Sequence, residues 1–432
     1  MLKKISLTLA IATALLLQPS TMNAQDKNSS STSSPYSRYG IGTLNGYSVG
    51  RSAAMGGIGI GTRYGFQINS GNPASYTAID TMTFLMEFGV KSKSTIYESS
   101  DKKNGANDVN FNYLAFSFPI KKWWASAFGL IPLSDKGYNI GATELTTNGY
   151  TATSIYGTGT LSKVFVGNAF KIGKNLSFGV NAWYLFGTLA DNYYLNFPYD
   201  AAAYDYSLEN KLTVHNFGFT AGMQYSWKTK NKNQWTLGAT LEPKQSMSSK
   251  YVIHEERVLF RNSSTNSPII DTLQHVEDTH GGLTLPLSVG GGFSYTYKNK
   301  MIFGADIYHQ KWSNATLLGG SSQYLTNSTR YSTGFEITPD EFSIRNYWSR
   351  VQYRVGGFYE NSYLTFNGEQ IKGYGITFGL GLPFSRALSS LNISAELGRM
   401  GTSNNNLIQE SYAKFSLHLL LHDRWFIKRK FD

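Results

Sequence analysis

Hydrophobic and polar residues alternate with a period of two along most of the chain beyond residue 83. One clear run extends from Tyr374 to Phe384, where every second residue is aromatic or aliphatic and glycine, threonine or proline fills the positions between. Similar runs begin at Leu283 and Ala413. Successive side chains of a β-strand point to opposite faces, so each run predicts a strand with one apolar face and one small or polar face.

The length of these runs indicates the kind of β-protein. Strands of soluble proteins usually have about 5–6 residues, whereas tilted strands that cross a bilayer need about 9–11. Several runs in this chain are longer than the length needed to cross a bilayer. Unpaired strand edges are not tolerated in lipid, so spanning strands must close into a barrel. We predict an all-β, fourteen-stranded antiparallel outer-membrane barrel over residues 84–421, with strands near 84–97, 109–120, 123–141, 155–172, 176–196, 207–227, 234–260, 275–297, 301–317, 324–337, 349–366, 370–384, 390–402 and 407–421.

The connections between the predicted strands fall into two groups. Short basic turns follow the even-numbered strands, and longer polar loops, such as 142–154 and 261–274, follow the odd-numbered ones. Barrels of the outer membrane have short periplasmic turns and longer external loops. An even number of strands returns the chain to its starting side. We therefore expect both termini, and the basic turns, in the periplasm.

The two ends of the chain differ from the barrel. Met1–Ala24 has two lysines, an apolar stretch too short to span a bilayer and a small-residue cleavage site, which predicts a secretory signal peptide. Residues 25–83 begin as a polar low-complexity lead-in and continue as a glycine-rich segment without a regular period. Residues 422–432 form a basic, aromatic tail that we expect in the periplasm.

Composition narrows the possibilities further. Aromatic residues make up 15% of the chain and glycine occurs 43 times, which suits aromatic girdles and small lumen residues. The formal charge is +11, but the cations lie in short turns rather than on one patch, which argues against nucleic acid as a partner. The chain has no cysteine, so it has neither disulfides nor a lipid-anchored cysteine. We expect a protein of a Gram-negative outer membrane, surrounded by its lipid.

Residues 51–76 carry the most specific motif. An Ala/Gly-rich stretch begins at Arg51, Asn69 follows, and the segment ends in Asn72-Pro73-Ala74-Ser75-Tyr76. This pattern resembles the N-terminal segment of the long-chain fatty acid transporter (FadL/TodX) family. The resemblance implies that residues 25–83 fold into the lumen as a plug, with Asn72, Pro73 and Ala74 as the motif that seats it. Proline fixes φ and disfavours helix at the residue before it, so we expect Asn72 in a turn or at a helix start.

The resemblance leaves two functions open. One is passive uptake of small hydrophobic compounds, which requires an apolar pocket between plug and wall. Its candidate lining residues are Met55, Ile58, Phe66 and Ile68. The other is the role of a non-transporting scaffold subunit of an outer-membrane assembly or secretion machine, which also occurs within this superfamily. Its candidate docking residues for a protein partner lie in the tail: Trp425, Phe426, Lys428, Arg429, Lys430 and Phe431.

Other local signals predict no chemistry. Gly56, Gly57, Gly59 and Gly61 do not complete a phosphate-binding loop, and close backbone packing explains them. His275, Glu277, Asp278 and His280 would lie on two faces of one strand, so they predict no metal site. None of the seven histidines stands in a recognisable nucleophile motif. We therefore predict a non-enzymatic protein without catalytic residues, metal or cofactor.

Overall fold

The computed structural model describes residues 32–45, 49–99, 102–146, 149–200, 203–229, 233–258, 269–278, 282–317, 321–384 and 389–424. Within these residues, fourteen antiparallel strands pair in sequence order, and the last strand pairs with the first to close a barrel. The strands are β1 Thr83–Glu98, β2 Lys103–Lys121, β3 Trp124–Thr146, β4 Gly149–Ile172, β5 Leu176–Asn196, β6 Asp205–Lys228, β7 Gln234–Glu242 with Ser249–Val258, β8 Ile269–Asp278 with Ser288–Tyr297, β9 Met301–Gln310, β10 Ser328–Ile337, β11 Gln352–Phe366, β12 Glu369–Pro383, β13 Ser390–Met400 and β14 Gln409–Arg424. The predicted fold and strand number are confirmed.

The directions in which the strand side chains point also follow the predicted alternation. On β14, Phe415 and Leu417 are 56% and 36% exposed, whereas Ser416 and His418 are buried. On β12, Phe378 is exposed in the same way and its neighbour Thr377 is fully buried. The apolar phase of each strand therefore faces outward to the lipid, and the small or polar phase faces the lumen.

Two strands that the sequence predicts as continuous, 234–260 and 275–297, are each interrupted. The interruptions contain Pro243 and Pro286, which cannot donate a ladder hydrogen bond. Between the two halves of each strand, Gln245–Met247 pairs with Leu283–Leu285 as a separate two-stranded element. Leu283 and Leu285 are buried there instead of facing lipid.

The wall of the barrel has unequal height. Strands β3, β4, β5 and β6 contain 23, 24, 21 and 24 residues, whereas β9 and β10 contain 10 each. The additional length extends the sheet at the end that carries the longer connections. Residues 142–146 and 149–154, which we expected in a loop, pair with each other as the ends of β3 and β4.

The ladder between β2 and β3 covers only part of these strands. It extends from the Leu114–Leu130 pair to the Lys121–Trp124 pair. Beyond a bulge between Pro132 and Ser134, β3 pairs instead with the short strand Thr43–Leu44 of the N-terminal segment. We use "N-terminal segment" for residues 32–45 and 49–82.

The helices are short and of the 3₁₀ type. Three lie in the N-terminal segment, Pro35–Arg38, Gly50–Ala54 and Pro73–Ala78, and four lie in connections, Trp312–Asn314, Ser321–Tyr324, Tyr347–Arg350 and Asn404–Asn406. In the part of the chain that the structure describes, no helix has the length and hydrophobicity needed to cross a membrane.

The N-terminal segment passes through the barrel from one end to the other. Its first residues contact the long-connection end, where Ser33 Oγ donates to Asp108 at 2.7 Å and Ser34 Oγ donates to Glu410. Its last residues lead into Thr83 at the end with the short turns. Residues 35–83, expected in the half of the lumen next to the short turns, therefore extend into the other half as well. The predicted signal peptide 1–24 and residues 25–31 of the predicted lead-in 25–34 lie outside the described residues.

Candidate functional site

Glycines on the inner face of the wall allow the N-terminal segment to approach the strands closely. A Cβ at Gly238 would collide with the carbonyl of Ile60, and a Cβ at Gly356 would collide with the backbone of Met55 and Gly56. The neighbouring residues in each strand, such as Leu237, face outward. Backbone therefore packs on backbone, which explains why the lumen phase of the strands is rich in glycine.

Asp306 on β9 fixes the glycine-rich stretch of the segment. The backbone N–H groups of Gly59 and Ile60 donate to Oδ2 of Asp306 at 2.6 and 2.7 Å, and that of Gly61 donates to Oδ1 at 3.2 Å. A carboxylate that accepts several backbone N–H groups forms strong, charge-assisted hydrogen bonds. The glycine-rich stretch thus binds an anionic group, which is the carboxylate of Asp306 in the barrel wall.

A second contact joins three charged side chains. Arg51 of the segment donates through Nε to Glu336 on β10 at 2.7 Å, and Arg354 on β11 donates through Nε to the same carboxylate at 2.6 Å. Arg354 also donates to Asn392 on β13 at 2.7 Å. Glu336 and Arg354 are only 2% and 5% exposed. A buried group of this kind is costly to break because the remaining charges lose their partner.

Asn72 begins the helix Pro73–Ala78, as expected from the sequence. Its Oδ1 accepts the N–H of Ala74 at 3.1 Å, which is the usual contact of an N-cap residue. Its Nδ2 donates to the carbonyl of Ile60 at 2.9 Å and to that of Met223 in the wall at 3.2 Å. One fully buried side chain therefore joins the helix, the glycine-rich stretch and β6.

A cavity of about 200 Å³ lies between the segment and the wall. Its lining is partly apolar, from Ile60, Trp183, Leu285 and Trp312, and partly charged, from the ion pair of Lys163 with Glu242 at 2.8 Å. The pocket thus combines a small apolar volume with fixed polar groups, as small-molecule sites do.

The four residues predicted to line a ligand pocket lie elsewhere. Met55 and Ile58 pack against Ile302 on β9, and Ile68 belongs to the main hydrophobic core. Phe66 packs against His422, with ring centroids 5.9 Å apart. None of the four lines the 200 Å³ cavity. Their role in ligand binding stays a prediction.

A wider space opens at the end of the barrel that carries the short turns. This vestibule has a volume of about 1070 Å³. Burial lowers the pKa of Arg63, which lines it, to about 10, so this guanidinium remains charged at neutral pH. More basic than acidic side chains line the vestibule: Arg51, Arg63, Lys122, Lys171, Lys174, Lys228, Arg350 and Arg354 against Asp80, Glu87, Glu336 and Glu341.

The N-terminal segment lines both the cavity and the vestibule. Gly57, Gly59, Ile60, Asn69, Ser70 and Gly71 of the segment line the cavity, whereas Arg63, Tyr64 and Phe66 line the vestibule. The two spaces share no lining residue. Different residues of the segment therefore face the two spaces.

The profile of the BamG family matches residues 1–432, the whole chain. The chain belongs to the BamG family. Among proteins with curated descriptions, none matches it.

Solved structures place this BamG-family chain among FadL-type barrels. The toluene transporter TbuX of Ralstonia pickettii has a TM-score of 0.59 at 14% identity, and the match covers 87% of this chain and 98% of TbuX. The toluene transporter TodX of Pseudomonas putida has a TM-score of 0.57 at 16% identity, covering 89% and 99%. A FadL homologue of Pseudomonas aeruginosa has a TM-score of 0.54 at 13% identity, covering 90% and 100%. At this level of identity the likeness establishes the fold.

Sequence reasoning missed the charged residues that hold the segment in this BamG-family barrel. Asp306 alternates with Phe303 and Ile307, both exposed to lipid, so its strand phase points it into the lumen. Glu336 and Arg354 occupy the same phase of β10 and β11. Charged residues in the lumen phase of the spanning strands were therefore the available signal. The predicted docking residues of the tail, Trp425 to Phe431, lie outside the described residues.

Proposed function

We propose that this protein is a non-enzymatic scaffold subunit of an outer-membrane assembly or secretion complex, and that its N-terminal segment is a permanent plug. The observation that carries the proposal is that charged, buried contacts hold this segment to the wall. A gate that opens for each substrate molecule would have to break the Arg51–Glu336–Arg354 contact and the three hydrogen bonds to Asp306. Membership in the BamG family favours the machinery-subunit branch of the superfamily.

The vestibule supports docking at the end with the short turns. We place this end in the periplasm, because barrels of this class carry their short turns there. Exposed lysines at its rim, among them Lys122, Lys174 and Lys228, attract an acidic surface and orient its approach. The tail from Trp425 to Phe431 would add apolar contacts, which usually supply most of the affinity.

Affinity purification from a mild-detergent extract tests the docking proposal. We expect stoichiometric recovery of other outer-membrane or periplasmic proteins with the tagged, unaltered chain. Replacing Lys122, Lys174 and Lys228 together by Glu should reduce this recovery strongly, as should deletion of Trp425 to Phe431. The matched control replaces the exposed Lys102, Lys103 and Lys211 by Glu, since these lie toward the long-connection end. Recovery of the chain alone would contradict the proposal.

Conductance in planar bilayers tests the plug. Deleting residues 35–76 removes most of the N-terminal segment while β1 is retained, so single-channel conductance should rise well above that of the unaltered chain. An unchanged, closed trace in a correctly folded deletion variant would mean that the lumen is blocked by something else.

Passive uptake of small hydrophobic compounds is the second candidate. The cavity of about 200 Å³ favours it, and so does the short β2–β3 ladder, which ends at the Leu114–Leu130 pair within the described strands. The neighbours TbuX and TodX are toluene transporters. Toluene should then quench the fluorescence of Trp183 or Trp312, and Trp312→Phe should reduce that change. Saturable toluene entry into vesicles that contain only this protein would establish this function.

A further inference from the structure

Two histidines meet at the long-connection end of the barrel. His254 on β7 lies directly opposite His275 on β8, and Glu209 on β6 lies opposite His254 on its other side. Directly opposed residues of antiparallel strands have Cβ atoms about 4.5–5.5 Å apart. The three side chains therefore share one face of the sheet.

The hydrogen bonds of His254 favour one tautomer of its neutral ring. Its Nε2 lies 2.6 Å from Oε1 of Glu256, a carboxylate that accepts but does not donate. In the neutral ring the hydrogen is therefore on Nε2, and Nδ1 of His254 carries a lone pair that accepts a hydrogen bond. That Nδ1 is 2.9 Å from Nδ1 of His275. Metal-binding histidines are held by a carboxylate on the distal ring nitrogen in the same manner.

We propose that His254 and His275 together bind one divalent transition-metal ion, such as Zn²⁺, Ni²⁺ or Cu²⁺, through their Nδ1 atoms. Imidazole nitrogens lie about 2.0–2.1 Å from such an ion, so two adjacent ligands are about 2.9–3.3 Å apart. The distance of 2.9 Å between the two Nδ1 atoms is already at the lower end of that range, and the ring planes are inclined by 78°. On binding, the Nδ1 hydrogen of His275 moves through solvent to its Nε2, so neutral rings release no net proton.

The surrounding charges favour a cation. Glu209 and Glu256 lie beside the histidines, and the carboxylate of Glu277 is engaged by Lys250 at 2.6 Å. On the same face of the sheet, β6 also carries the cation Lys211. Among the described residues, no three His, Cys, Asp or Glu side chains converge on one point, so water fills the remaining coordination positions. Two imidazoles suit a borderline ion rather than Ca²⁺ or Mg²⁺, which prefer oxygen ligands.

The sequence alone did not predict this site because its two ligands come from different strands. Within the segment around His275, strand alternation predicts that Asp278 and His280 lie on the face opposite to His275. The register of β7 against β8 supplies the second ligand. The ion would join the two strands next to residues 259–268, which connect them.

Titration calorimetry of the full mature chain in detergent micelles tests the proposal, with a tag that contains no histidine and after removal of bound metal by EDTA. We expect one equivalent of Zn²⁺ to bind at neutral pH. His254→Ala and His275→Ala should each weaken binding by more than about 100-fold, and Glu256→Gln should weaken it less, by about tenfold. His215→Ala is the matched control, because His215 is exposed on β6 and takes no part in the pair.

Electron paramagnetic resonance of bound Cu²⁺ gives a readout that does not depend on stability. Two coordinating nitrogens are expected in the unaltered chain and at most one in either alanine variant. The proposal fails if the unaltered chain binds no Zn²⁺. It also fails if the His254→Ala/His275→Ala variant binds with unchanged affinity while retaining its folded gel mobility.

Discussion

Two regions of the same lumen are built by different forces. Around Gly56 to Gly61, the N-terminal segment lies on wall glycines, and its backbone N–H groups are satisfied by Thr377 and Asp306. Beside this stretch lies the 200 Å³ cavity, which the side chains of Ile60, Trp183 and Leu285 line. We call the first the clamp region and the second the cavity region.

This difference indicates which functions are compatible with the barrel. A group in the clamp region cannot move without leaving a buried charge or N–H group unpaired, which is expensive in a low-dielectric interior. Side chains in the cavity region can change size or polarity at little cost. A transporter needs the clamp to open, whereas a scaffold needs it only to hold. The following predictions test this contrast, from the largest expected effect to the smallest.

Glu336→Ala should have the largest effect. It leaves Arg51 and Arg354 facing each other without the carboxylate between them, and breaking a buried pair of this kind costs about 3–5 kcal/mol. Equilibrium unfolding in urea measures the loss. Glu144→Ala is the control, since Glu144 is exposed near the end of β3 and should change stability by less than about 0.5 kcal/mol. Equal stability of the two variants would contradict the clamp.

Asp306→Ala should have the next largest effect. Three backbone N–H groups lose their acceptor, and hydrogen bonds to charged groups contribute about 1.5–3 kcal/mol. We expect a loss of about 2–3 kcal/mol in the free energy of unfolding, together with faster proteolysis within residues 56–66. The exposed Asp271 serves as the control, and Asp271→Ala should change neither quantity.

Gly356→Ala and Gly357→Ala form a matched pair of adjacent positions on opposite faces. The new Cβ at 356 collides with the backbone of Met55 and Gly56, whereas the new Cβ at 357 meets its nearest atom at 3.4 Å. Overpacking costs about 1–3 kcal/mol. Single-channel conductance should rise for Gly356→Ala as the segment is displaced. A rise for both variants, or for neither, would show that the segment does not depend on this contact.

Thr240→Val and Thr377→Val compare the two regions by one chemical change. Thr377 Oγ1 accepts the N–H of Gly56 at 2.8 Å, so its loss should cost about 1–2 kcal/mol. The buried hydroxyl of Thr240 lines the cavity without a hydrogen-bond partner, and its removal should be neutral or slightly stabilising. Thermal unfolding of both variants measures the contrast, and a reversed order would contradict it.

The sequence predicts the barrel because its signal is local. Alternation places Leu417 outward and Ser416 inward wherever the partner strand lies, and Asn72-Pro73 determines a helix start from adjacent residues. The contacts that hold the segment to the wall carry no local signal, since Arg51 and Glu336 are 285 positions apart. The same limit concealed the pairing of His254 with His275. Pro243 and Pro286 indicate in the sequence that the two strands are weakened at these positions. The pairing of Gln245–Met247 with Leu283–Leu285 has no such local signal.

Hydrogen exchange of residues 50–79 in the full chain, measured with and without saturating toluene, tests the central claim most directly. If the segment is a permanent plug, its amides from Gly56 to Gly61 exchange as slowly as those of the neighbouring strands β9 and β11, and toluene leaves the rates unchanged. Faster exchange of these amides in the presence of toluene would contradict the account, because it would mean that a hydrophobic compound opens the clamp.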